Sequence, residues 1–137
     1  MGAFGARAAA PAAGKRVLTI GLDPTRTPPA APSAIQGPPP SQADILAGVE
    51  QATAHLKALG FQITNCMIAG ENAEAEARAA LRAGEYDIVV VGAGLRLRTD
   101  MFFLFERILN AVHELAPKAR IALHTTPVDF DEAVIRV

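Results

Sequence analysis

The chain is poor in cysteine, and its charges nearly cancel. Its 137 residues include one cysteine, Cys66, which excludes an internal disulfide and a cysteine-based metal cluster. Cys66 lies in a predicted strand, where a buried, unreactive thiol is the expected state. Thirteen basic residues against fourteen acidic ones leave a formal net charge of −1, which provides no electrostatic footprint for nucleic acid and no polybasic membrane surface. The composition therefore favours a cytoplasmic location and neither of those two partners.

Long hydrophobic runs and familiar catalytic signatures are also missing. No apolar run approaches the roughly 18 residues that a membrane-crossing helix needs, so no membrane association is expected. The chain contains no GxSxG elbow, Walker phosphate-binding loop, zinc-ligand spacing or HExxH pair. Its three histidines, His55, His113 and His124, form no recognisable set. No metal site is predicted, and the sequence identifies neither a reaction nor a cofactor.

Half of the residues are hydrophobic, which is enough to bury a core in a chain of this length. We expect residues 1–14 to form a flexible N-terminal tail and residues 15–137 to fold as a single α/β domain. Within that domain, residues 23–40 hold most of the chain's ten prolines. Proline has a fixed φ and no amide hydrogen, so this Pro-rich segment is predicted to be a long loop. Connections longer than roughly 12 to 15 residues are often lids or binding loops.

Alternating strand and helix patterns predict a parallel sheet. The third strand, residues 88–91, reads IVVV, an uninterrupted β-branched run typical of a strand covered on both faces. Right-handed crossovers between parallel strands place helices on both faces of the sheet. We therefore predict a three-layer, doubly wound α/β fold with four parallel strands in the order 2-1-3-4. The predicted strands are residues 15–22, 61–69, 88–91 and 120–125, and the predicted helices are residues 41–59, 72–83, 99–116 and 129–135.

The predicted chain path reverses direction across the sheet between the first and third strands, and open α/β sheets bind ligands at the carboxyl ends of such strands. The loops that follow these strands, residues 21–40 and 92–99, should frame one crevice. Guanidinium groups bind phosphates and carboxylates, and amides at a helix start favour an anion. The sequence thus predicts a small anionic or phosphorylated ligand. The candidate ligand-binding residues are Arg26, Gly92, Gly94, Arg96, Arg98 and Thr99.

Two simpler interpretations compete with this anion site: the glycines form a structural turn, and the arginines are solvated loop residues. The segment Gly92-Ala93-Gly94 resembles the start of a dinucleotide-binding GxGxxG, but the third glycine would fall at Leu97, and the segment follows the third strand instead of the first. A structural turn in which the backbone passes close to its neighbour is the competing explanation of the two glycines. The arginines are alternatively solvated loop residues, since arginine is common on surfaces.

Two further functions stay open at this stage. Asp23 and His124 follow the first and fourth strands and are candidate acid-base groups of a small hydrolase or transferase, although Asp-Pro also starts turns and the histidine lacks an evident orienting carboxylate. Phe103 lies at the border of the polar face of the third predicted helix. Its ring is therefore either exposed to solvent or covered by another apolar surface. A second copy of the chain, the Pro-rich loop or a flat ligand would provide that cover, and the first option predicts a homodimer.

The predicted topology resembles the flavodoxin-like and response-regulator-like, or Rossmann-like, α/β proteins. Flavodoxins bind the phosphate of FMN on a Ser/Thr- and Gly-rich loop after the first strand, where this chain reads DPTRT; response regulators need an aspartate at the end of the third strand, where this chain has Gly92. The resemblance implies their fold without their chemistry. At a finer level, IGLDP at 20–24, VVVGAGLR at 89–96 and LFERILNAVHELAPKARIALHTTP at 104–127 resemble a group of small, uncharacterised bacterial proteins, which implies no catalytic residue.

Overall fold

The computed structural model describes residues 14–30, 38–126 and 129–137. Four parallel strands form one sheet in the order β2-β1-β3-β4, as the sequence predicts. In the pairing of β1 with β3, Thr19 lies opposite Val90 and Ile20 opposite Val91. The arrangement is consistent with a flavodoxin-like fold. The strands are β1 (Arg16–Leu22), β2 (Gln62–Ile68), β3 (Ile88–Val91) and β4 (Arg120–Leu123).

Helices cover both faces of the sheet, which confirms the doubly wound prediction. All four residues of β3 are buried, and because side chains alternate along a strand, Val89 and Val91 contribute to one core while Ile88 and Val90 contribute to the other. The core that contains Val90 is closed by α1 (Gln42–Ala58) and α5 (Phe130–Arg136), and the opposite core by α2 (Ala73–Arg82), α3 (Ala93–Leu97) and α4 (Phe102–Leu115).

Local sequence signals set the ends of α1. The Ser41 side chain accepts a hydrogen bond from the backbone N–H of Asp44 at 3.1 Å, which satisfies one of the amides that a helix start leaves unpaired. Gly60 follows the helix with φ of 100°, a conformation that suits glycine at a helix end. The start of α2 has no such cap, because Asn72 belongs to a 3-10 turn and its side chain makes no capping bond.

The segment after β3 differs from the prediction. A loop over residues 92–99 was expected, but α3 begins at Ala93, directly after the strand. Its residues Ala93–Leu97 are mostly good helix formers, and the helix ends where Arg98 adopts an extended conformation with φ of −90° and ψ of 124°. A 3-10 turn, Thr99–Met101, then leads into α4. The predicted loop therefore contains a short helix, and the third predicted helix, residues 99–116, begins as a 3-10 turn and continues as α4.

Asp129 precedes the last helix without capping it. Its side chain makes no hydrogen bond to the start of α5. Its carboxylate instead accepts hydrogen bonds from the Thr125 hydroxyl at 2.8 Å and from the Thr126 N–H at 2.9 Å. Asp129 thus fixes the turn between β4 and α5.

Some predictions fall on residues that the structure leaves out. Residues 1–13 of the predicted tail and residues 31–37 of the Pro-rich loop lie outside the described residues. The division into a tail and a single domain therefore stays a prediction. Among the described residues, no helix combines the length and apolar character needed to cross a bilayer.

Candidate functional site

The carboxyl ends of β1 and β3 open into a hollow of about 1500 Å³. The two strands are neighbours, and the chain path reverses direction across the sheet between them, which is the position where open α/β sheets bind ligands. Described residues of the Pro-rich loop, including Pro28 and Pro38, form one wall, and the segment from Gly92 to Met101 forms another. The two segments that the sequence placed together therefore border the same hollow.

Gly92 brings the ends of β1 and β3 into close contact. Its N–H donates a hydrogen bond to the Ile20 carbonyl at 2.8 Å. A Cβ atom at this position would lie 3.1 Å from the Gly21 Cα and 3.2 Å from the Ile20 carbonyl oxygen, closer than most real Cβ contacts. At Gly94, a Cβ would meet the Leu22 side chain at an ordinary 3.5 Å. Close backbone approach explains the first of the two glycines, and both line the hollow.

Arg26 forms hydrogen bonds with neighbouring residues of the protein and does not line the hollow. Its Nε donates to the Asp23 carboxylate at 2.9 Å. Its Nη2 donates to the Met67 carbonyl at 3.0 Å and lies 3.3 Å from the Glu76 carboxylate. Arg26 therefore ties the loop after β1 to the end of β2 and the start of the neighbouring helix.

Arg96 also lies outside the lining of the hollow. Both of its terminal nitrogens donate to the His124 carbonyl, at 3.1 and 2.7 Å. This bidentate contact joins α3 to the end of β4. The three predicted arginines thus have separate sets of partners, and they do not converge on one point.

Arg98 is the one predicted arginine that lines the hollow among the described residues. Its Nε and Nη2 donate to the two oxygens of Asp100, at 3.0 and 2.8 Å, and its Nη1 donates to the Pro28 carbonyl at 2.8 Å. These bonds from Arg98 lower the pKa of the Asp100 carboxyl. A guanidinium carries five N–H groups, so two remain after these three bonds. Thr99 lies beside Arg98 in the same lining.

Asp23 serves the turn that follows β1. One of its carboxylate oxygens accepts from the Thr25 N–H at 2.9 Å and from the Thr25 hydroxyl at 2.6 Å, and the other accepts from Arg26. The hydrogen bonds from Thr25, and then from Arg26, lower the pKa of the Asp23 carboxyl. Asp23 is absent from the lining of the hollow. This is the turn chemistry that the Asp-Pro pair indicates.

His124 is buried at the end of β4, where it lines the hollow. Its Nε2 lies 3.1 Å from the backbone nitrogen of Ala93, and its Nδ1 contacts the Thr126 carbonyl. Because a backbone amide only donates, Nε2 carries no proton and the neutral ring donates through Nδ1. Burial is the main cause that lowers the pKa of His124. The ring therefore holds the start of α3 against the turn after β4.

The carboxylate of Asp129 lies beside His124, and the sequence did not indicate that these two residues are neighbours. Its Oδ1 lies 3.5 Å from the His124 Nδ1, and the hydrogen bonds from Thr125 and Thr126 orient it. Hydrogen bonds from these threonines, together with His124, outweigh desolvation and lower the pKa of Asp129. The contact forms across the turn after β4, and no known sequence spacing predicts it.

The remaining lining is mostly carbon, with a few polar groups. Thr27, on the Pro-rich loop, has a hydroxyl oxygen that is buried and without a hydrogen-bond partner, an uncommon state for a polar atom. Ile45 and Val49, which lie on α1, also line the hollow. The described residues contain no group of three metal-ligating side chains. The polar lining residues are Thr19, Thr27, Ser41, Gln42, Arg98, Thr99, Asp100, His124, Thr125 and Thr126.

In comparisons with known proteins, the chain matches no family model, no curated protein and no solved structure.

Proposed function

We propose that the protein binds a small organic anion in the hollow between the Pro-rich loop and the segment from Gly92 to Met101. Arg98 carries this proposal, because it lines the hollow and retains two N–H groups beyond its bonds to Asp100 and Pro28. Its side chain is only 14% exposed, so a bound anion would be shielded from water and its contact with the guanidinium strengthened. Gly92 and Gly94 let the ligand approach the backbone.

Arg26 and Arg96 have a supporting part in this proposal. Each is engaged with backbone carbonyls of neighbouring elements, Arg26 with Met67 and Arg96 with His124. They hold the walls of the hollow in place, while Arg98 makes the direct contact with the anion. Thr99, which also lines the hollow, adds a hydroxyl beside the guanidinium.

Binding without turnover is favoured over a hydrolase or transferase activity. A general base needs an atom that is free to take a proton from the substrate. In His124 one ring nitrogen accepts from Ala93 and the other contacts Thr126. In Asp23 both oxygens accept hydrogen bonds from within the same turn. Neither candidate offers an unengaged atom to the hollow.

A thermal-shift series tests the proposal. The probes are inorganic phosphate, sugar phosphates, nucleotides and short carboxylates, each added to the wild type, to Arg98→Gln and to the control Arg120→Gln. Arg120 is exposed at the opposite end of the sheet, where β4 begins. A ligand that binds the folded form raises the melting temperature, and we expect that rise in the wild type and the control but not in Arg98→Gln. An equal rise in all three proteins, or none in any, would overturn the proposal.

A second candidate is a homodimer formed through the start of α4. Phe102 and Phe103 are 56% and 68% exposed, and their rings meet edge to face at 5.6 Å. Exposed aromatic clusters of this kind mark contact surfaces. The measurement is the mass in solution of the wild type and of Phe103→Glu. A dimer that becomes a monomer supports this candidate, and a monomeric wild type rejects it.

The proposal also covers the cellular location and the origin of the protein. The near-zero net charge and single cysteine fit a reducing cytoplasm. We also propose a bacterial origin, on the resemblance of residues 20–24, 89–96 and 104–127 to small bacterial proteins. Both are read from the sequence alone.

A further inference from the structure

Arg98 and Asp100 form an ion pair with two parallel hydrogen bonds on the wall of the hollow. The Nε and Nη2 groups of Arg98 donate to the two Asp100 oxygens at 3.0 and 2.8 Å. Among the described residues that line the hollow, these two carry the formal charges at neutral pH, because the ring of His124 is neutral. The formal charge of this lining is therefore zero, which suits a ligand with one charge of each sign.

Both members of the pair keep unused hydrogen-bonding capacity. After the bonds to Asp100 and to the Pro28 carbonyl, Arg98 retains one N–H on each terminal nitrogen. An ionised carboxylate accepts about four hydrogen bonds, and Arg98 supplies one to each Asp100 oxygen. The hydrogen bonds from Arg98 lower the pKa of Asp100 and keep it ionised. The pair therefore presents donors and acceptors side by side.

The pair is held in place by the elements around it. The Arg98 side chain is 14% exposed, and its Nη1 donates to the Pro28 carbonyl at 2.8 Å. Asp100 lies in the 3-10 turn Thr99–Met101 that leads into α4, and its side chain is 59% exposed. A ligand therefore meets a carboxylate that is open to it and a guanidinium that is already ordered, which lowers the entropic cost of binding.

The spacing of the two groups matches an α-amino acid. The N–H bonds on Arg98 Nη2 diverge by about 120° because the guanidinium is planar. One of them points to an Asp100 oxygen 2.8 Å from Nη2. A ligand oxygen bound to the other at about 2.9 Å would lie roughly 5 Å from that Asp100 oxygen. An ammonium group fits between the two oxygens, since in an α-amino acid a single carbon separates it from its own carboxylate.

We infer that the ligand is an α-amino acid, whose carboxylate binds the terminal nitrogens of Arg98 and whose ammonium group binds the Asp100 carboxylate. The carboxylate position rests on the proposed function, and the ammonium position adds Asp100 as a second recognition residue. Asp100 repels the second charge of a dianion such as inorganic phosphate. The pair therefore selects an amino acid over a simple anion.

Calorimetric titration at neutral pH and low salt tests the inference with matched probes. Norleucine, hexanoate and pentylamine share one alkyl chain and carry both charges, the carboxylate alone and the ammonium alone, respectively. In 6-aminohexanoate the two charges lie at opposite ends of the chain. The wild type should bind norleucine about threefold to tenfold more tightly than hexanoate, the gain from one further hydrogen bond. Pentylamine and 6-aminohexanoate should bind no more tightly than hexanoate.

Asp100→Asn removes the proposed partner of the ammonium group. Hexanoate binding should strengthen because a negative charge leaves the guanidinium, while norleucine binding should not, so the advantage of norleucine over hexanoate disappears. Stronger hexanoate binding also shows that the variant is folded. Glu106→Gln, which removes the same charge from an exposed position of α4, is the matched control. It should keep the wild-type preference for norleucine.

The outcomes distinguish this inference from the proposal beneath it. A preference for norleucine that Glu106→Gln keeps and Asp100→Asn abolishes supports the inference. Equal binding of norleucine and hexanoate to the wild type would overturn it and leave the anion site standing. A preference that survives in Asp100→Asn, or 6-aminohexanoate that binds as tightly as norleucine, would also overturn it. Failure of every carboxylate and of inorganic phosphate to bind the wild type would overturn both.

Discussion

The backbone N–H of Ala93 donates to the Nε2 of His124 at 3.1 Å, and this bond joins the first residue of α3 to the end of β4. It requires an unprotonated Nε2, so it requires a neutral ring. Arg96 reinforces the same junction through its two bonds to the His124 carbonyl. One wall of the hollow therefore depends on the protonation state of a buried histidine.

Stability should fall on acidification because of His124. The unperturbed pKa is 6.5, and burial lowers the pKa of the folded state. Below pH 6.5 the unfolded chain takes up a proton that the folded chain does not, so the free energy of unfolding decreases as the pH falls toward the folded-state pKa, by at most about 1.4 kcal/mol per pH unit. Above pH 6.5 this contribution is constant and fully present.

Urea unfolding across pH 5 to 8 measures this effect as a difference between the wild type and His124→Gln. Glutamine still offers an acceptor to Ala93 but does not titrate. All other ionisable groups are present in both proteins, so the difference between the two curves isolates His124. A wild-type stability that falls faster than that of the variant below pH 6.5 is expected, and parallel curves would contradict the account.

Gly92→Ala should destabilise the fold by about 1–3 kcal/mol, because the new methyl group would press on the Gly21 Cα and the Ile20 carbonyl. Gly94→Ala is the matched control. Its methyl group meets Leu22 at an ordinary distance, and alanine favours a helix over glycine by up to about 1 kcal/mol. The free energy of unfolding in urea should therefore rank Gly94→Ala above Gly92→Ala. The reverse order would be incompatible with close strand ends.

Asp100→Asn should strengthen carboxylate binding by about twofold to fivefold, the range expected when an exposed ion-pair partner is removed from a guanidinium. The Asp100 side chain is 59% exposed while that of Arg98 is 14% exposed, so the change leaves the interior undisturbed. Glu106→Gln removes the same charge from an exposed position of α4 and serves as the control. Titration at low salt measures both. Equal affinities in the two variants would mean that Arg98 does not contact the anion.

Arg96→Gln should weaken the fold without weakening binding. Losing both bonds to the half-buried His124 carbonyl should cost about 1–3 kcal/mol in the free energy of unfolding. Arg96 does not line the hollow, so carboxylate affinity measured well below the melting temperature should match the wild type. A loss of affinity as large as that in Arg98→Gln would assign Arg96 to the ligand instead.

Local patterns predicted the fold well because they act within short segments. The β-branched run of β3, the Ser41 cap and the Gly60 stop of α1 each depend on neighbouring residues, and alternation of strands and helices then limits the topology. The order β2-β1-β3-β4 follows from these features. The short helix α3 was missed because the glycines at positions 92 and 94 are typical of a turn, and they favoured a loop after β3.

The site was predicted less completely because its contacts are long-range. Arg26 and Arg96 follow the correct strands, but their partners, Met67, Glu76 and the His124 carbonyl, come from other elements. Sequence spacing therefore did not show that these two charges are engaged. The same holds for Asp129, which reaches His124 across a turn.

The most direct test of the central claim is an NMR titration of the isotope-labelled wild type with hexanoate, observing the backbone amides and the Arg98 Nη–H groups together. The account predicts saturable shifts confined to residues that line the hollow, including Arg98, Gly92 and the first half of α1, with the Arg98 Nη–H groups among the largest. Shifts centred on residues away from the hollow, or none at saturating hexanoate, would contradict it.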